Sequence, residues 1–108
     1  MTPEQAEKML DDTWDSAESH CLAGGEIIGE IKVRKEYFTE PIFGDCVTVS
    51  VLEKPIVLKK NGKTIAGRFL VHYSPTGSDY LFSTWTQAVA FRKSRVAHIW
   101  AAVKIFGP

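Results

Sequence analysis

The five side chains most able to hold a metal are His20, Cys21, Cys46, His72 and His98. A zinc site gathers its ligands at short recurring spacings, and no two of these residues stand at one. On a helix the adjacent His20 and Cys21 diverge by about 100°. A second cluster is the set His72, Tyr73, Ser74, Ser78 and Asp79 around one turn, whose residue types suit hydrolysis. The same types serve any tight turn, because they cap, bend and hydrogen-bond backbone locally. No G-x-S-x-G elbow, Walker loop or G-x-G-x-x-G accompanies them, so no metal or cofactor is expected. A small enzyme or ligand-binding domain built on His72, Tyr73 and Asp79 is therefore the second reading, and no catalytic residue is assigned.

Nucleic-acid binding ranks third. Lys59, Lys60, Lys63 and Arg68 lie on or beside one hairpin, and Arg92, Lys93 and Arg95 lie on the last helix. Basic hairpin tips are usually just soluble turns, and a pI near 6.8 is not that of a dedicated phosphate binder. The run 67–73 is similar to an RNA-recognition strand motif but departs from it at two aromatic and small positions, and the helix-first element order is wrong.

Two surfaces say more. Glu4, Glu7, Asp11, Asp15 and Glu18 follow one another at three- or four-residue steps, so a helix there carries an acidic stripe. Each like-charge pair costs about 0.2–0.5 kcal/mol, with relief from the helix dipole only in the first turn. A solvated face is the ordinary explanation; the functional one is docking of a basic protein through Asp11, Asp15 and Glu18. On the last helix a wheel gathers Trp85, Val89, Val96, Ile99, Trp100 and Val103 into one sector, with Arg92 near its centre. An arginine there must snorkel, meet a carboxylate, or lie on a face open to a partner. Trp85, Arg92 and Trp100 together have the composition of an interface hot spot.

The elements that would position these residues are legible. Thr2 caps a helix that starts at Pro3, Gln5 closes a capping box, and Ala6, Leu10, Thr13, Trp14, Ala17 and Cys21 share one face up to Gly24-Gly25. From Glu26 the period becomes two, predicting a half-buried strand with Ile27, Gly29, Ile31 and Val33 on one side. Val47, Val49 and Val51 alternate in a second strand, which Glu53-Lys54-Pro55 interrupts. Asn61-Gly62 is a type I′ hairpin signal, and it sets Lys60 against Lys63, Leu58 against Ile65 and Ile56 against Gly67. The turn 74–78 leads into Tyr80-Leu81-Phe82, and Thr84 with Gln87 caps a last helix of about twenty residues ending at Gly107. The expected fold is one α+β domain over 1–108: an N-terminal helix, a mostly antiparallel meander of about five strands, and a C-terminal helix.

The chain has 108 residues, 44% apolar and 24% charged, which is an ordinary globular composition. Its net charge is zero, but residues 1–40 carry −6 and residues 41–108 carry +6. Mutual neutralisation across one fold is the simpler account, and a charged partner the other. With no basic leader, no apolar run of membrane length and only two cysteines, the sequence reads as cytoplasmic with reduced thiols. In general build, though in no motif, it resembles small bacterial and phage accessory proteins such as immunity proteins and inhibitors of host defence. That likeness implies a non-enzymatic protein-binding module, whose partner is a protein, basic where it meets the acidic stripe, or a second copy in a homodimer.

Overall fold

The computed structural model describes residues 20–107. Strands β1 (His20–Cys21), β2 (Glu26–Ile28), β3 (Val33–Tyr37), β4 (Val47–Lys60), β5 (Lys63–Tyr73) and β6 (Ser78–Phe82) precede helix α1 (Trp85–Phe106). All strand pairs are antiparallel, in the order β1-β6-β5-β4-β2, with β3 also on β4. The sheet's two ends, β1 and β2, are joined by the turn Leu22–Gly25, in which the Gly25 amide donates to the Leu22 carbonyl at 3.2 Å. Lys60 at the tip of the long hairpin donates to the Cys21 carbonyl at 3.0 Å, so the sheet curls until its ends are neighbours.

Curling gives the sheet two buried faces. Leu52, Ile56, Leu58, Leu70 and Leu81 form a cluster inside the curl, joined by Leu22 and Ile65. The outer face places Val47, Val49, Val71 and Phe82 against Ala88, Phe91 and Ile99 of α1. Neighbours in sequence, such as Leu70 with Val71 and Leu81 with Phe82, go to opposite clusters as the strand period requires.

The hairpin register is the expected one, with Lys60 opposite Lys63, Leu58 opposite Ile65 and Ile56 opposite Gly67. Asn61 and Gly62 both have positive φ, 52° and 76°, which fits a type I′ turn. The expected interruption at Glu53-Lys54-Pro55 is instead a bulge within continuous β4. Val51 pairs with Phe69 and Ile56 with Gly67, so Leu52, Glu53, Lys54 and Pro55 together oppose Arg68 alone. A bulge suits Pro55, which has no N–H for the ladder. Arg68 supplies the missing donors through Nε and Nη2, at 3.2 and 3.0 Å from the Leu52 carbonyl. Gly67 is needed beside it, because a Cβ there would sit 2.3 Å from the Phe82 carbonyl oxygen.

Two expectations need correction. The first helix was extended by its period to Cys21, yet His20 and Cys21 form a strand facing Leu81 and Tyr80. Pairing with β6 outweighs the helical spacing there. The rest of that helix, including Trp14 and the acidic stripe with Asp11, Asp15 and Glu18, lies outside the described residues. The strand expected from Glu26 to Arg34 to be half-buried is split into β2 and the start of β3, which meet β4 on either side of its bulge, and Ile27, Ile28, Ile31 and Val33 are all exposed. Gly29, at φ 110°, breaks the run where it passes the bulge.

The C-terminal helix is as expected at both ends: the Gln87 amide donates to the Thr84 hydroxyl at 3.2 Å, and the Gly107 amide to the Val103 carbonyl at 2.8 Å. Among the described residues no helix is long and apolar enough to cross a membrane.

Candidate functional site

Helix α1 is apolar on nearly every side, so the direction of its buried face is set by the sheet rather than by its own sequence. The residues that reach the core are Ala88, Phe91 and Ile99. Arg95, not Arg92, lies between them. Its guanidinium carbon is 4.8 Å from the Phe91 ring centre, 5.6 Å from Tyr73 and 5.7 Å from Tyr80, and Nη1 donates to His98 Nδ1 at 3.2 Å. The sequence reading counted Arg95 only among the basic residues of the last helix, although its spacing from Phe91 and Ile99 places it on their face.

Turning the helix that way brings Trp85, Arg92 and Trp100 to one flank, facing the loop between β3 and β4. Arg92 donates from Nε to the Val47 carbonyl at 3.3 Å and stacks on Phe38, with its guanidinium carbon 4.2 Å from the ring centre. Among the described residues it meets no carboxylate. Partial burial lowers its pKa from the ordinary arginine value. Trp85 stacks on Phe38 at 6.2 Å and meets Tyr37 edge-on at 5.0 Å. At the far end Phe43 meets Trp100 edge-on at 4.8 Å.

The outcome is a row of aromatics that stays open to solvent: Trp85 is 38% exposed, Phe38 39%, Phe43 49% and Trp100 52%. Its two tryptophans are fifteen helical steps apart, a span of about 22 Å. Arg92 stands midway. Phe38 and Phe43, which the sequence reading did not single out, are held in left-handed backbone conformations, with φ of 59° and 52°. For a bulky side chain that conformation costs roughly 1–2 kcal/mol. Backbone strain of this kind gathers at binding and active sites.

The Phe43 conformation is fixed by its surroundings. Ile42 and Asp45 exchange backbone hydrogen bonds of 2.6 and 3.1 Å around Phe43-Gly44, and Gly44 also has positive φ, 85°. Ser74 clamps this turn from the other side of the sheet end: its hydroxyl donates to Asp45 Oδ1 at 3.0 Å and accepts from the Cys46 amide at 2.9 Å.

That clamp occupies one of the two serines of the alternative catalytic set, and the other, Ser78, accepts from the Thr76 hydroxyl at 2.9 Å. His72 Nδ1 and Asp79 Oδ1 do meet across β5 and β6 at 3.0 Å, but both side chains are more than two-fifths exposed. Tyr73 points to the opposite face, toward Arg95. The three residues therefore do not converge on one cleft. Among the described residues no three His, Cys, Asp or Glu side chains are placed to hold a metal ion. Lys59, Lys60 and Lys63 stay together at the hairpin tip, away from Arg92 and Lys93 on α1.

No family model matches this chain, and neither a curated protein nor a solved structure matches it.

Proposed function

We propose that this protein is a non-enzymatic protein-binding module that uses the flank of α1, with Trp85, Arg92 and Trp100 contributed by the helix and Phe38 and Phe43 by the facing loop. The observation that carries the reading is the pair of phenylalanines at positive φ. Both meet solvent where a polar or glycine residue would hold the same backbone at lower cost. Aromatic side chains around one arginine are the usual anchors of a protein interface. The partner chemistry this favours is an apolar segment carrying at least one carboxylate for Arg92. A second copy of the chain is the other occupant to examine.

The test is affinity capture with the intact protein, followed by titration of what is captured. Trp85→Ala and Trp100→Ala should each weaken the captured complex by about 2 kcal/mol or more, the scale of a hot spot. Equal affinity of both variants and the wild type would place binding on another surface. Sedimentation without the partner separates the homodimer from the heterologous complex.

A further inference from the structure

The back of α1, turned away from the sheet, carries an apolar stripe of Val96, Ala97, Trp100 and Ala101 flanked by Lys93 and Lys104, beneath a concavity of about 780 Å3. Only Val96 also reaches the outer core. We infer that residues 3–19 of this same chain seat on this stripe in cis, Leu10 and Trp14 meeting Ala97, Trp100 and Ala101 while the neighbouring carboxylates meet Lys93 and Lys104.

Charge, length and position support this occupant. Helix α1 contains Arg92, Lys93, Arg95 and Lys104 and no Asp or Glu, whereas residues 1–19 contain six carboxylates and one lysine. The sequence periodicity of residues 3–19 sets an apolar face beside its acidic stripe, which is the pattern complementary to an apolar strip edged by lysines. As a helix of seventeen residues, the segment would be about 25 Å long, and the stripe from Lys93 to Lys104 is about 17 Å. The segment ends at His20 on β1, beside Leu81 of β6, the strand that feeds α1. A second copy fits less well, because a two-fold axis through the stripe would bring Lys93 of one chain to Lys104 of the other. Trp100 borders both surfaces, since its ring also meets Phe43, so the inference shares that residue with the partner-binding reading, whose other anchors, Trp85, Arg92, Phe38 and Phe43, lie outside the stripe.

Nuclear Overhauser contacts in the full-length protein, without any partner, test it. Contacts from Leu10 and Trp14 to the methyl groups of Val96, Ala97 and Ala101 are expected, unchanged on about tenfold dilution and absent from interchain-filtered spectra of mixed labelled protein. Ala97→Glu should repel the segment and raise amide exchange over residues 6–18 by about tenfold or more, with β4 and β5 unaffected. Contacts that appear only between chains would give the stripe to a second copy and overturn the inference. So would the absence of contacts between residues 3–19 and the stripe, or exchange that Ala97→Glu leaves unchanged.

Discussion

Two turns in this molecule share one backbone geometry and differ in the residue that begins it. Asn61-Gly62 closes the long hairpin with φ of 52° and 76°, and Phe43-Gly44 closes the turn before β4 with φ of 52° and 85°. Asparagine tolerates the left-handed region because its short polar side chain bonds locally, whereas phenylalanine has no such compensation. The first turn is thus what folding alone selects. The second gives up roughly 1 kcal/mol of backbone energy to hold an aromatic ring against Trp100 in solvent. What differs is the use of the position: one sets register inside the sheet, and the other presents a side chain outside it.

The comparison is broken most severely at the second residue of each turn. A Cβ at Gly44 or Gly62 would meet nothing within 4 Å, so any cost there is backbone alone. Gly62→Val and Gly44→Val should each lower stability by at least about 1 kcal/mol in denaturant melts. If only one does so, the turns are not equivalent. Asn61→Phe comes next and should cost about 1 kcal/mol, since the hairpin tip offers the ring no partner comparable to Trp100. Phe43→Asn should have the smallest effect on folding: stability unchanged or raised by up to about 1 kcal/mol, because relief of strain offsets the lost contact with Trp100. The same variant should bind a captured partner more weakly. Marked loss of stability in Phe43→Asn would make this phenylalanine a folding residue, and the contrast between the turns would vanish.

The contrast also marks what could be read from the sequence. The Asn61-Gly62 turn, its register, the turn at 74–77 and both caps of α1 follow from local chemistry, and local chemistry leaves its signature in neighbouring residues. Phe43 gave no such signal, for its turn is specified by Gly44, by the paired bonds of Ile42 and Asp45, and by Ser74 nearly thirty residues away. The same limit explains α1. With apolar residues around the whole helix, its period predicts a helix but not which side the sheet buries, so Arg92 stood out while Arg95 occupied the inner face. Trp85, Arg92 and Trp100 stood out by composition, and the loop that brings Phe38 and Phe43 against them did not. At the edge, Ile27 to Val33 alternate like a half-buried strand, but Gly29 and the β4 bulge leave them exposed.

Arg92 gives the most direct test, because stability and binding separate there. It donates to a carbonyl and stacks on Phe38 without a carboxylate among the described residues, so Arg92→Ala strands no described buried charge and should cost about 1 kcal/mol of folding stability. Calorimetric titration of this variant with the captured partner should show affinity weaker by about 2 kcal/mol, close to thirtyfold. Wild-type affinity in a folded Arg92→Ala protein would contradict the claim that the aromatic flank of α1 is the binding surface.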